Sequence, residues 1–179
     1  MTARVAGVHV SPEHTFSKVP VDAVTLVAGL GVDGDAHSGA RVKHRSRVAK
    51  DPTQPNLRQV LLFPSELLDD LATRGFDLPP GALGENITTT GIDIFDLPIG
   101  TVLLLGPEAM IVLTGLRNPC GQINGLQDGL LGELRFKVDG ETRRRGGVMS
   151  VVVNGGVVRA GDLIEISRPP GEPIAMQPV

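Results

Sequence analysis

Short runs of Val, Ile, Leu and Thr recur along the chain, each closed by Gly, Pro or Asp: "ARVAGVHV" (3–10), "AVTLV" (23–27), "QVLLF" (59–63), "ENITTT" (85–90), "TVLLLG" (101–106) and "AMIVLTG" (109–115). Their shortness and β-branched content predict strands. Near the C-terminus "VMSVVV" and "GVVRAGDLIEIS" flank "NGG" (154–156), where Asn-Gly supplies the positive-φ residues of a tight turn, so these two runs are expected to pair as an antiparallel hairpin. Two stretches carry a helical period. "SELLDDLATRG" (65–75) puts Leu67, Leu68, Leu71 and Ala72 on one face and stops at Gly75. "INGLQDGLLGELRF" (123–136) spaces Leu126, Leu130, Leu131 and Leu134 for a helix, against the cost of three internal glycines. The pattern predicts a mainly β fold with a few short helices, closed or nearly closed into a barrel.

Composition changes this picture little but bounds it. At 179 residues and 41% hydrophobic, the chain has the size and apolar content of one compact domain, read here as residues 1–167. The proline-rich "RPPGEPIAMQPV" (168–179) is expected to leave the core as an extended arm or to fray. Seventeen basic residues against twenty acidic ones offer no broad positive field for nucleic acid or an anionic membrane, so an anionic ligand must meet a local cluster. One cysteine excludes an internal disulfide framework, and no long apolar run suggests a leader or a membrane span, so a reducing cytoplasm is expected. With no Trp, no Tyr and five Phe, base-stacking platforms and phenolic acids are scarce.

Three clusters could carry chemistry. The single cysteine, Cys120, stands in "GLRNPCGQI" (115–123). A lone intracellular cysteine is most often a small buried apolar residue. Here Arg117 lies three residues upstream and Asn118, Pro119 and Gly121 make a polar, open turn, a setting in which a guanidinium stabilises thiolate. A thiolate can attack, carry sulfur as persulfide, or bind a soft metal. The second cluster, "GVDGDAHSGARVKHR" (31–45), mixes Asp33, Asp35, His37 and His44 with turn-forming glycines. Its spacing fits neither the usual zinc signatures nor a phosphate loop. The third, "PGALGENITTTGID" (80–93), brings Glu85 and Asn86 to a strand start, either as plain turn residues or as hydrogen-bonding groups in a pocket. The polar, cationic stretch "ARVKHRSRVAKDPTQPN" (40–56) reads as an exposed loop, and "TRRRGG" (142–147) as a solvated charge run.

Read jointly, these stretches resemble the MOSC domain, named for the C-terminal domain of molybdenum cofactor sulfurase. The resemblance runs through "GVDGDAHSG" (31–39), "RQVLLF" (58–63), "LGENITTTGIDI" (83–94), "LPIGTVLLLG" (97–106), "LTGLRNPC" (113–120) and "NGGVVRAGDLIEI" (154–166), in the family's order, and is strongest with the small stand-alone bacterial members. It implies a barrel-rich β fold and a molybdopterin-type molybdenum cofactor, or its sulfur, as the ligand. Cys120 takes the place of the family's cysteine, either as a ligand to molybdenum in reduction of N-hydroxylated compounds or as a persulfide that hands sulfur to the cofactor. The chain has neither a pyridoxal-phosphate desulfurase nor an electron carrier within it, so the resemblance implies a partner: an electron-transfer protein or a cysteine desulfurase.

For the neighbours of Cys120, motif position and chemistry together suggest roles. Arg58, Arg117 and Arg41 are candidates for the cofactor's phosphate, because guanidinium presents paired donors to phosphate oxygens. Glu85, Asn86 and Asn118 are candidates for its pterin edge or its immediate surroundings, while His37 and Asp35 would shape the site or move a proton for a small-molecule substrate. The stretch between "GDAHSG" and "RQV" is longer than the resemblance leads one to expect of compact members, which suggests a lid or a partner surface.

Overall fold

A computed structural model describes residues 2–179, apart from the side chains of residues 45 and 46. In chain order the strands are β1 (Arg4–Val10), β2 (Val19–Val21), β3 (Ala23–Val27), β4 (Gly31–Val32), β5 (Val60–Pro64), β6 (Ile87–Thr90), β7 (Val102–Leu105), β8 (Ala109–Leu116), β9 (Arg135–Val138), β10 (Glu141–Arg144), β11 (Val148–Asn154), β12 (Gly156–Arg159) and β13 (Ile164–Ser167). The helices are α1 (Arg45–Val48), α2 (Ser65–Thr73) and α3 (Leu130–Leu134), with a 3-10 turn over Gly121–Gly125. Mainly β with few short helices is what the hydrophobic pattern predicted. Among the described residues no helix is long and apolar enough to cross a membrane.

Eight strands form one sheet in the order β13-β7-β8-β11-β5-β6-β1-β2, beside a three-stranded sheet β12-β3-β4 and the hairpin β9–β10. Only β5 and β6 run parallel; the other pairs are antiparallel. The large sheet does not close by a ladder into the expected barrel. A single bridge, Arg4 to Leu163, joins the start of β1 to the turn before β13, supported by Val5 N to Asp162 O at 2.9 Å and Ile164 N to Ala3 O at 2.9 Å. Strand β8 shows why these runs are strands, since its residues alternate buried and half-buried along its whole length, the period of a pleated strand with one face on the core.

The main core lies between the sheets and includes Val5, Leu26, Leu62, Ile87, Ile111 and Val152. A smaller one, with Phe63, Leu67, Leu71, Ile123, Leu130 and Leu134, packs α2 and α3 against the sheet. Helix α2 fits its expected bounds, with Leu67, Leu68 and Leu71 buried and Gly75 at φ +89° just past its end.

Three expectations need correction. "NGG" does not turn a hairpin: β11 pairs with β8 and β5, whereas β12 pairs with β3, so the chain changes sheets there. The glycines serve close approach instead, since a Cβ on Gly155 would lie 2.8 Å from Leu26 O and one on Gly156 3.0 Å from Ala109 N. The helix expected over 123–136 survives only as the 3-10 turn and α3, because Gly129 adopts φ +84° between them and Arg135 already begins β9. The C-terminal stretch is no free arm. Met176 is buried in the main core, Ile99 N bonds Ile174 O, and Leu116 N bonds Gln177 O, both at 2.9 Å. The charge run at 142–147 is exposed at Thr142 and Arg143 as expected, its first three residues lying in strand β10, and the mostly exposed 40–56 segment contains α1 and a bridge from Arg41 to Pro55.

Candidate functional site

A cavity of about 550 Å³ opens where the end of β8, the start of β6 and the loops at 11–18, 33–39 and 40–56 converge. Strand β8 delivers the thiol. Arg117 N continues the β8–β11 pairing with a bond to Gly147 O (2.9 Å), and then Pro119, which has no N–H to offer a ladder, ends it. Cys120 follows in an extended conformation, its carbonyl accepting Ile123 N at 3.1 Å, and Ile123 is fully buried in the smaller core. The sulfur is thus exposed on a turn whose next residues are anchored. Its own contact is Gln122 Oε1 at 3.6 Å.

The hairpin β9–β10 braces this turn from behind. Arg144 Nε donates to Asn118 Oδ1 at 3.0 Å, Arg135 reaches Pro119 O at 3.5 Å, and a Cβ on Gly146 would lie 2.5 Å from Pro119 Cγ.

Arg117 and Arg58 both line the cavity. One Arg117 nitrogen donates to Leu83 O (2.6 Å), and its guanidinium stands over the Phe16 ring at 5.3 Å from the centroid, a cation–π geometry. Burial pulls Arg117 below the usual arginine value, and Cys120 and Glu85 act against that pull. Arg58 is pushed down to about 10 by burial first and then by the nearby positive charges of Arg47 and Arg117, with Cys120 again opposing. Its buried Nε has no hydrogen-bond partner. A buried unpaired donor on a cation is costly, and an anionic ligand would remove the cost.

On the facing wall, Asp35 organises four neighbours. Its Oδ1 accepts His37 N at 2.9 Å and faces His37 Nδ1 at 3.3 Å; its Oδ2 accepts from Lys18 Nζ, from Asn86 Nδ2 at 3.0 Å and from Ser11 N at 3.4 Å. The first bond is the Asx-turn expected of an aspartate two residues before its donor. Burial would raise the Asp35 carboxyl, but the His37 bond and the Lys18 charge outweigh it and hold the group well below the usual carboxylate range. His37 thus turns Nδ1 toward Asp35 while its ring lines the cavity. Burial draws the Lys18 ammonium down, and the Asp35 carboxylate acts against that pull.

Asn86 lines the cavity, yet its amide is already committed: Oδ1 accepts Leu61 N (3.2 Å), and Nδ2 serves Asp35 and His9 O (3.3 Å), tying β1 to β5. Glu85 lies behind the wall, fully buried, with Oε1 on Gly81 N (2.6 Å) and Oε2 unpartnered. Burial raises its carboxyl above the usual range.

The structure therefore brings Cys120, Arg58, Arg117, Asn118, His37 and Asn86 to one cavity, places Asp35 and Glu85 just behind it, and leaves Arg41 exposed outside its lining. Sequence reasoning missed Lys18, His14 and Phe16 from the first loop and Lys43, Arg47 and Lys50 from the 40–56 segment. His14, His37 and His44 follow one another along the wall, with ring centroids 5.1 Å and 6.4 Å apart. Burial lowers His44 first, and the cations around it, Arg58 among them, lower it further.

Comparisons with known proteins bear on the fold and the family. The chain is similar in structure to the YuaD protein of Bacillus subtilis, with 23% identity, a TM-score of 0.73, and coverage of 93% of this chain and 96% of that one. YiiM of Geobacillus stearothermophilus aligns over 97% of this chain and 79% of its own with a TM-score of 0.65 at 17% identity, and YiiM of Escherichia coli over 97% and 73% with a TM-score of 0.64 at 21% identity. No curated protein sequence matches. The family model of the MOSC domain matches residues 34–165, a span that runs from the Asp35 loop through Cys120 to β13. By that match the chain belongs to the MOSC domain family, which is associated with binding of the molybdenum cofactor.

Proposed function

We propose that the cavity binds a molybdenum cofactor with the Cys120 thiolate as protein ligand to the metal, and that the loaded protein reduces N-hydroxylated compounds with electrons from a separate electron-transfer protein. The observation that carries this reading is one cavity wall bearing both an exposed thiol and Arg58, whose buried Nε lacks a partner. A thiolate suits a soft metal, and an unsatisfied guanidinium suits a phosphate. The donor set fits the group: among the described residues no Asp or Glu lines the cavity to repel phosphate. Among the described residues no three His, Cys, Asp or Glu gather to hold a metal, so a metal on Cys120 brings its other donors with it. Arg58 and Arg117 would hold the phosphate, Cys120 the metal, and Asn118 a polar edge.

When bound, the cofactor supplies two-electron redox chemistry. Reduction of an N-hydroxyl group cleaves the N–O bond, consumes two electrons and two protons, and releases water. The chain's own part is the proton. His37, whose ring lines the cavity with Nδ1 facing Asp35 Oδ1, would pass one of the two protons, and solvent would supply the other. Protein from a molybdenum-replete host should carry stoichiometric molybdenum that Cys120→Ala loses, and should turn over an N-hydroxylated base with an artificial donor. Absence of both metal and pterin from the native protein would overturn the reading.

The exposure of the sulfur supports a second reading, a persulfide carrier. A cysteine desulfurase's persulfide would pass its outer sulfur to the Cys120 thiolate; the donor S–S bond breaks, a new one forms on Cys120, and the donor leaves as thiolate. Cyanide-labile sulfur on Cys120, without bound molybdenum, distinguishes this case.

A further inference from the structure

The 40–56 segment forms one side of the cavity mouth. It is closed at its base: Val42 N bonds Gln54 O at 3.0 Å and Asn56 N bonds Ala40 O at 2.9 Å. Asn56 is buried, and its Nδ2 fastens that base to the Asp35 loop through His37 O (3.0 Å) and Gly39 O (2.9 Å). On the other side His14 Nε2 lies 3.2 Å from Lys43 O. A segment tied at three places holds its backbone at a defined position beside the cavity.

The side chains it gives to the cavity include Lys43, Arg47 and Lys50. Among the described residues none of the three enters an ion pair. The segment's own carboxylate, Asp51, takes Thr53 N (2.9 Å) and Thr53 Oγ1 (2.6 Å) on Oδ1 and forms no ion pair with these cations among the described residues. Deeper in, Lys18 is answered by Asp35, which leaves Arg58 and Arg117 for an anion. A single phosphate on those two would leave three cations at the mouth without an ion-pair partner among the described residues, and a local cluster of like charge favours a further anion there.

We propose that Lys43, Arg47 and Lys50 form a second anion subsite at the mouth, so that the cavity takes two anionic groups at once, one on Arg58 and Arg117 and one on the 40–56 segment. The second group is a phosphate or a carboxylate, belonging either to the same ligand as the first, as in a pyrophosphate, or to a separate acidic substrate beside it. The subsite presupposes that the cavity is the ligand site, as in the function proposed above, and does not require molybdenum.

Calorimetric titration of the ligand-free protein with inorganic phosphate, inorganic pyrophosphate, and succinate over saturating phosphate reads it. Pyrophosphate binding about tenfold tighter than phosphate assigns both groups to one ligand; succinate binding to the phosphate-saturated protein assigns the second to a substrate. In either case Lys43→Ala/Arg47→Ala/Lys50→Ala should weaken the favoured probe about tenfold and leave phosphate within about twofold. The single Arg47→Glu serves if the triple variant folds poorly, since it must weaken the same probe. Overturning results are wild-type affinity for the favoured probe in those variants, or a wild-type protein that neither prefers pyrophosphate nor takes succinate. Molybdenum content is not read in these titrations, so their failure leaves Cys120 ligation standing, and loss of the latter leaves the subsite standing.

Discussion

The buried pair of Lys18 and Asp35 gives a stability prediction with a defined size. The side chains are 5% and 2% exposed, so neither charge can turn to water. Asp35→Asn keeps the shape and removes the charge. If the new amide keeps its oxygen toward His37 N, its NH2 faces Lys18 Nζ and Asn86 Nδ2, two donors against a donor. Stranding one member of a buried ion pair costs about 3–5 kcal/mol, and the opposed donors place this variant at about 4 kcal/mol. Lys18→Met strands the carboxylate instead, but His37 N, Asn86 Nδ2 and Ser11 N still donate to it, so about 2 kcal/mol is expected. The double variant leaves no buried charge at either position, and its cost should fall about 2 kcal/mol or more short of the summed singles. Urea unfolding followed by far-UV circular dichroism, with the denaturant slope unchanged among variants, measures all three. If Asp35→Asn costs less than about 1 kcal/mol and adds to Lys18→Met without coupling, Asp35 is not the electrostatic anchor of this wall.

Other consequences follow from individual contacts. Buried His9, 2% exposed, is lowered from 6.5 to about 4 by burial first and then by Lys18. Between those values the unfolded chain binds a proton that the folded one refuses, so stability is whole above about pH 6.5 and falls on acidification toward pH 4, by about 3 kcal/mol. His9→Gln should lose that much less between pH 7 and 4 in urea titrations, and an unchanged pH slope would refute the assignment. Met176→Ala should cost about 2–3 kcal/mol, since the residue is 6% exposed in the main core; a frayed tail would show no change in melting temperature. Gly146→Ala should push Pro119 and cost about 1–3 kcal/mol, while altering the alkylation rate of Cys120, because the added Cβ would lie 2.5 Å from Pro119 Cγ.

Local signals carried the strands and α2 because each is decided by its own side chains. "AVTLV" became β3 over the predicted residues, and the leucines of α2 are buried on one face. What failed were inferences about distant pairing. Asn154-Gly155 looks like a hairpin turn in isolation, but β12 finds β3, more than a hundred residues earlier in the chain, as its partner. The tail reads as a solvated proline stretch, although Met176 and the backbone of Gln177 have places waiting beside β8. The site divides in the same way. Cys120, Arg58 and Arg117 stood out through their polar turn or their place in a motif, whereas Lys18 in "FSKVP" looks like any surface lysine until Asp35 is seen against it. Lys43, Arg47 and Lys50 were visible as charge, but their place beside the cavity depends on where the base of their segment is fastened, which the sequence does not show.

The central claim is that the Cys120 sulfur binds the metal. X-ray absorption at the molybdenum edge on wild-type protein and Cys120→Ser, both loaded with cofactor, tests it directly. One fewer sulfur scatterer around molybdenum in the variant is the predicted result; the same sulfur shell in both proteins would contradict it.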